Sequence, residues 1–350
     1  MRIIITGNMG YVGPVVAAHF RRTWPDAMLG GIDQGWFAHC LFGLGALPET
    51  VLDFQVFRDV RDISAADLTG ADAVIHLAAV SNDAMGKRFE SVTDEINHRA
   101  SVSVAKAASE AGVGHFVFAS SCSVYGAAAD GAARSETSSL APLTAYARSK
   151  IDTEKDLAAL DTDMIITSLR FATACGLSPR LRLDLVLNDF VASAVSTGTI
   201  EILSDGSPWR PLIHVRDMAR AMEWAATRPA DQGGRYLAVN GGCDEWNFQV
   251  RDLATAVGKA MPEADISMSK TPPADNRSYK VDFAKFRSLA PNHQPRETLS
   301  GAIAELRDAM KAINFSDRNF RNSDFIRLKI LNGLVDQGKL ASDLRQMVAA

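Results

Sequence analysis

The chain has 350 residues, 47% hydrophobic and 22% charged, enough to bury a sizeable core in one large or two closely associated domains. A formal charge of −4 and a pI near 6.0 leave no basic footprint for nucleic acid. The four cysteines, at 40, 122, 175 and 243, show neither a CxxC pair nor a metal-ligand spacing, so no disulfide frame and no metal site is expected. No signal peptide is expected ahead of the first strand and no apolar run could cross a bilayer, which predicts a cytoplasmic chain without a membrane partner.

Residues 2–6 are apolar and β-branched, the pattern of a strand buried on both faces. They run into a turn with glycines at 7, 10 and 13, and a helix is predicted over 12–24, with Pro14 tolerated in its first turn. Strand, glycine turn and helix form the context of a dinucleotide fingerprint. Gly7 permits the turn, Gly10 lets the backbone approach a pyrophosphate, and Gly13 lets helix and strand pack closely. The pyrophosphate then meets the positive end of the helix. A second strand over 28–32 ends in Asp33, 20 residues after Gly13. A carboxylate there accepts from a ribose 2′-hydroxyl and repels a 2′-phosphate, which predicts NAD over NADP; the alternative is an ordinary loop acid.

Strands are expected at 54–57, 73–77, 115–120 and 163–170, with helices around Ala65, over 90–110 and over 143–160. This alternation predicts an α/β fold with a doubly wound parallel sheet, whose ligands bind off the carboxyl ends of the strands. Tyr146 and Lys150 stand four apart on one face of the 143–160 helix. An ammonium near a phenol favours phenolate, so the Tyr146 pKa is expected to fall from about 10 toward working pH. That makes Tyr146 a candidate acid/base with Lys150 its electrostatic partner.

The glycine turn 6–13, Asp59-Val60, the His76-Leu-Ala-Ala79 run, Asn97, the Ser120–Gly126 stretch and Tyr146-x-x-x-Lys150 occur in an order that resembles the extended short-chain dehydrogenase/reductases. Within these the chain is similar, over about residues 1–290, to the NAD-dependent nucleotide-sugar epimerase/dehydratase group, with UDP-glucose 4-epimerase as type member. The resemblance implies that Gly7, Met9, Gly10, Tyr11, Val12 and Gly13 hold NAD together with Asp33. Asp59 and Val60 would flank the adenine, and Leu77, Ala78 and Ala79 would line the path to the ribose. Asn97 would brace the site from its helix, with Ser120 and Phe171 also at the cofactor. Ser121, Tyr146 and Lys150 would form the catalytic set. Tyr146 would take the proton of a sugar hydroxyl, Ser121 would bond that oxygen, and Lys150 would hold the nicotinamide ribose.

Departures from the family pattern narrow the expectation. The family's 4,6-dehydratases carry Asp-Glu directly after the catalytic hydroxyl, where this chain has Cys122 and Ser123. Cys122 is expected to be a packing residue, or else a reactive thiol if a cation lowers its pKa. Ser123 either addresses the substrate or ties down its own turn. Ala172 stands where the type epimerase has Asn, and Ser81 where it has Lys, so the type member's substrate does not transfer. Ser81, Asn82 and Asp83 address the sugar or cap a turn.

Beyond Arg170 the elements expected are a loop with Arg180 and Arg182, helices over 185–196, 217–227 and 250–261, strands over 200–203, 211–215 and 236–240, and an amphipathic helix within 295–313. The resemblance implies a substrate lobe that grips a nucleotide diphosphate through Arg210 and Arg277, with Asn188 as a looser match; surface ion pairs are the alternative for the two arginines. His214 is expected to pack within its strand. The expected division is an NAD-binding domain over 1–175, joined by 205–228; a substrate lobe over 176–204 and 229–313; and a helical extension over 314–350, which docks on the body or on a second subunit. The expected activity is a nucleotide-sugar epimerase, in a homodimer, acting by transient oxidation at C4. The alternative is an NAD(H)-dependent nucleotide-ketosugar reductase or sugar dehydrogenase, and a non-catalytic NAD-binding scaffold would have no need of the triad.

Overall fold

Three isoleucines place the first strand, β1 (Arg2–Thr6): Ile3 and Ile5 enter one apolar layer and Ile4 the other, all fully buried. A strand apolar on both faces needs helices on both, which puts it inside a parallel sheet. The computed structural model describes residues 1–43, 45–127, 131–268 and 278–347. After β1 come α1 (Gly13–Thr23), β2 (Met28–Asp33), β3 (Phe54–Phe57), α2 (Ala65–Leu68) and β4 (Ala73–His76). Two short helices follow, α3 (Asp83–Arg88) and α4 (Glu90–Asp94), then a π-helical turn, Glu95–Ala100, and α5 (Ser101–Glu110). β5 (His115–Ser121), the two-residue β6 (Ala133–Arg134), α6 (Ala145–Ala158) and β7 (Ile165–Phe171) complete this half.

The second half contributes β8 (Thr173–Cys175), α7 (Val186–Thr197), β9 (Thr199–Ile202), β10 (Trp209–His214), α8 (Val215–Ala225) and β11 (Tyr236–Gly241). It ends with β12 (Asn247–Gln249), α9 (Val250–Ala260), β13 (Asp265–Met268), β14 (Lys280–Val281), α10 (Ala284–Leu289), α11 (Leu299–Ala312) and α12 (Arg327–Asp336). The main sheet runs β11-β7-β5-β4-β1-β2-β3 with every neighbour parallel, so the predicted doubly wound α/β fold is what forms. Small sheets, β12-β10-β8 and β13-β9, gather beyond its carboxyl ends, since only Ala172 separates β8 from the end of β7.

Two expectations change. The 236–241 strand, assigned from sequence to the substrate lobe, is the edge strand of the main sheet: Leu237 and Val239 extend the apolar layer that holds Leu169 of β7. The 90–110 helix is interrupted by the π turn, which carries Asn97. α8 packs on α1 through a shared apolar layer, while β10 pairs in the separate three-stranded sheet. The extension docks on its own chain, with Leu331, Leu340 and Leu344 buried among Val60, Ile63 and Met85.

Candidate active site

A cavity of about 1440 Å³ opens off the carboxyl ends of β1, β2, β4, β5 and β7. Ordinary small-molecule pockets run to about 1,000 Å³, so this one has room for two ligands. Its floor depends on two glycines. Gly7 sits at φ +75°, and a Cβ there would come within 2.5 Å of the Ala78 amide nitrogen. A Cβ on Gly13 would stand 2.3 Å from the Asn8 carbonyl oxygen. The turns after β1 and β4 can therefore close on each other only without side chains, leaving backbone to face a ligand. Gly10, Tyr11 and Val12 line the cavity here, as do Leu77, Ala78 and Ala79 across from them.

Asp33, at the end of β2, faces the same space and also fixes the glycine turn. Its Oδ2 accepts from the Met9 amide (3.0 Å) and its Oδ1 from that of Gly35 (2.7 Å). Burial pushes its pKa up, while the two amides and the Arg180 cation oppose that rise. Met9 itself is buried away from the cavity, so its part is played by its backbone. Asp59 and Val60 lie on the rim; the Asp59 carboxylate accepts from the Arg61 amide (2.9 Å) and pairs with its guanidinium (2.6 Å). Asn97 is fully buried and does not reach the cavity. Its Oδ1 accepts from the Val80 amide (2.7 Å), and its Nδ2 donates to the Val80 carbonyl (3.0 Å) and the Ser149 hydroxyl (3.3 Å). It splices the turn after β4 to α6 from outside the cavity, so a direct contact with a cofactor is not what its side chain makes here.

Ser121, Tyr146 and Lys150 converge on the cavity from β5 and α6. The α6 helix starts at Thr144, whose hydroxyl accepts from the Ala147 amide (3.1 Å), and this cap sets where Tyr146 emerges. Lys150 Nζ donates to the Ala119 carbonyl (2.7 Å) and lies 5.6 Å from the centroid of the Tyr146 ring. Ser120, one residue before Ser121, gives its hydroxyl to Glu154, and Phe171 closes the cavity at the end of β7.

The expected fall in the Tyr146 pKa is not found. Burial and the Asp83 carboxylate push it up to about 12, against the opposing Ser121 hydroxyl and Arg182 cation. The same burial pushes Lys150 down to about 7, Glu154 opposing. At the i, i+4 spacing the sequence places lysine and tyrosine together, but desolvation acts on both and outweighs the pair.

The Lys150 shift predicts a stability effect. An unfolded lysine is protonated up to about pH 10.4, so between about pH 7 and that value the unfolded chain holds the extra proton, and this group's contribution to stability rises with pH. Lys150→Met should flatten the rise, seen as a smaller gain in Tm between pH 7 and 9 than in the unmodified chain. Parallel Tm curves would show that Lys150 does not titrate there.

Ser81 and Asn82 reach the cavity, and Asn82 also caps α3, its Oδ1 accepting from the Met85 amide (2.7 Å). Asn82 Nδ2 donates to Asp184 (2.8 Å), and the Ser81 hydroxyl accepts from Arg182 (3.1 Å). Ser123 lines the cavity with a buried hydroxyl that has no partner among the described residues, while its amide donates to Ser121 Oγ. Cys122 is fully buried, its thiol donating to the Arg170 carbonyl (3.0 Å) and its pKa raised by burial; it is a packing residue. Arg210 lines the cavity from β10, whereas Arg277 lies outside the described residues. Asn188 is a correction. It is fully buried, with Oδ1 on the Gly176 amide and Nδ2 on the Arg182 carbonyl and the Tyr11 hydroxyl, so its amide holds the 176–182 loop and has nothing left for a phosphate. His214 is buried and accepts from the Arg216 amide at the start of α8, packing as expected.

The residues that sequence reasoning missed are Arg182 and Asp184. They form a two-bond fork at 2.9 Å, line the cavity, and place the guanidinium close enough to Tyr146 to act on it. The only signal was two arginines in an otherwise apolar loop.

The family model described as the NAD dependent epimerase/dehydratase family matches residues 3–239. An uncharacterized UDP-glucose epimerase, YtcB of Bacillus subtilis, is 27% identical over 65% of this chain and 73% of its own length. A dTDP-glucose 4,6-dehydratase of Streptomyces griseus is 29% identical over 86% of this chain and 93% of its own. Among solved structures, the UDP-glucuronic acid 4-epimerase of Bacillus cereus in complex with UDP-glucuronic acid and NAD superposes with a TM-score of 0.74 at 22% identity, over 89% of this chain and 100% of the other.

Proposed function

The chain belongs to the NAD dependent epimerase/dehydratase family, and we propose that it is a nucleotide-sugar epimerase that acts through transient oxidation at C4 of the sugar. One observation carries the choice of reaction. The position after Ser121 is a sealed thiol bonded to Arg170 and the next is a hydroxyl, so no carboxylic acid stands where the family's dehydratases need one for elimination. Proton transfer at a single hydroxyl, by contrast, has every group it needs.

Gly7, Gly10 and Gly13 would hold the NAD pyrophosphate against bare backbone, and Asp33 would accept from the adenosine ribose. The cradle fits that group, since the lack of side chains at 7 and 13 lets the backbone of these turns close up and line the cavity. Bound NAD supplies the acceptor and then the donor of a hydride. Tyr146 removes the proton of the C4 hydroxyl and later returns it, and the Ser121 hydroxyl donates to the same oxygen. Lys150, in its protonated form, would favour the phenolate, and the Arg182 cation acts in the same direction. The unpaired Ser123 hydroxyl and the Ser81/Asn82 edge would meet the sugar, and Arg210 the diphosphate.

The direct test is incubation with UDP- and dTDP-linked glucose, galactose and glucuronate, followed by proton NMR. The C4 epimer should appear without net accumulation of NADH. A 4-keto-6-deoxy product would overturn the assignment, and stoichiometric NADH production would favour the dehydrogenase alternative. Cofactor choice is tested separately. Asp33→Asn removes the negative charge facing the ribose, and it should narrow the preference for NAD over NADP by about tenfold or more, about 1.4 kcal/mol, in a binding titration. An unchanged ratio would return Asp33 to the role of a turn residue.

A further inference from the structure

Residues 314–347 take no part in that chemistry, yet Arg321, Ile326, Arg327 and Leu328 line the same cavity. The segment is pinned at both ends. Toward the smaller sheets, Arg321 forks onto Asp189 of α7 with two bonds of 2.8 Å and approaches Glu201 of β9 at 3.6 Å. At the far end, on the Asp33–Asp59 side, Arg61 donates to the Asp343 carbonyl (2.9 Å). There Arg345 also pairs with Asp62 at 2.8 Å and with Asp59 at 3.7 Å, and Gln346 donates to the Gln34 carbonyl (2.9 Å). Between these clamps α12 buries Leu331 in the main core.

Arg327, at the start of α12, adds charge to this wall. It is 1% exposed, and its guanidinium donates to the carbonyls of Arg180 (2.8 Å), Leu181 (3.1 Å) and Asp324 (2.9 Å), 5.0 Å from the centroid of Phe37. Its neighbour Arg180 is matched by Glu49 and Arg182 by Asp184, while Arg327 bonds carbonyl oxygens. Burial lowers its pKa only to about 10, so it is a cation at neutral pH. Arg327 therefore brings a buried cation held by carbonyl oxygens to the wall of a cavity that would hold a diphosphate.

We propose that residues 320–347 form a strap across the dinucleotide site that keeps NAD in place through the catalytic cycle as a resident group. The proposal rests on the reading that this cavity binds NAD. An epimerase must return its hydride to the sugar it was taken from, and a strap tied to both sides of the cavity suits that need. Surface ion pairs are individually weak, but here they secure a segment already held by Leu331, Leu340 and Leu344.

The test follows exchange of isotope-labelled NAD against unlabelled NAD on the full chain, by rapid gel filtration. Two altered chains are compared with it. Arg345→Glu sets an acid against Asp59 and Asp62, and a chain ending at Gln337 removes the far clamp outright. Exchange should be at least tenfold faster in both, with C4 epimerisation restored by saturating NAD. Thermal melts without NAD confirm that each remains folded. Unchanged exchange in the shortened, folded chain overturns the strap, as does rapid exchange in the unaltered one. Should no nucleotide sugar be epimerised while the strap still governs exchange, the reaction assigned above fails and the strap stands.

Discussion

Tyr146→Phe is expected to lower turnover by about 10²–10⁴-fold, the usual share of a positioned acid/base, while leaving NAD bound. The substitution removes one hydroxyl and keeps the ring that faces Lys150. The cradle formed by Gly7, Gly13 and Asp33 is on other elements and does not change. What disappears is the proton carrier between a sugar oxygen and the site, together with its contact to Ser121. The measurement is kcat at matched NAD occupancy, with bound NAD counted after denaturation. Activity within about tenfold of the unmodified chain would sink the assignment. Loss of NAD along with activity would mean that Tyr146 acts in binding.

A second large effect is expected in stability, from Glu154→Ala. Glu154 stands one turn after Lys150 on α6, and its carboxylate takes three bonds from Arg170 on β7, at 3.0, 3.0 and 2.6 Å. It also accepts the Ser120 hydroxyl from β5, and Arg170 donates onward to the Tyr125 hydroxyl (3.1 Å). Burial opposes the charge on Arg170, but the Glu154 fork outweighs it and holds the guanidinium strongly protonated. Removing one partner leaves a buried cation unpaired, which destabilises by about 3–5 kcal/mol. Denaturant unfolding should show that loss, and Glu154→Ala with Arg170→Met should recover much of it, since an apolar pair needs no counter-charge. A loss below about 1 kcal/mol for the single change would mean that water reaches Arg170. Glu154 also ties the strand carrying Ser121 to the helix carrying Tyr146 through the Ser120 hydroxyl, so its loss should also lower activity in the surviving folded fraction.

Much of this molecule is written locally. Ile3, Ile4 and Ile5 announce a two-faced strand, and glycines at 7, 10 and 13 mark where backbone must approach backbone. Asp33 follows at the end of the next strand, and Tyr146 and Lys150 share a helical face. Each is a pattern over a few residues, governed by dihedral freedom, side-chain periodicity or the reach of one turn. Those rules hold whatever the rest of the chain does, and that is why the sheet and the cavity floor were legible.

Tertiary structure alone decided the remainder, because its causes are long-range. Whether Asn188 faces a ligand or a loop depends on Tyr11, Gly176 and Arg182 arriving around it. Whether β11 belongs to the main sheet depends on the free edge of β7. The Tyr146 pKa follows from burial and from Asp83, 63 residues earlier in the chain, and not from the lysine four residues on. The strap's contacts join residue 345 to residues 59 and 62. Desolvation and Coulomb forces act through space, and their sign at a given atom is set only when the chain has closed around it.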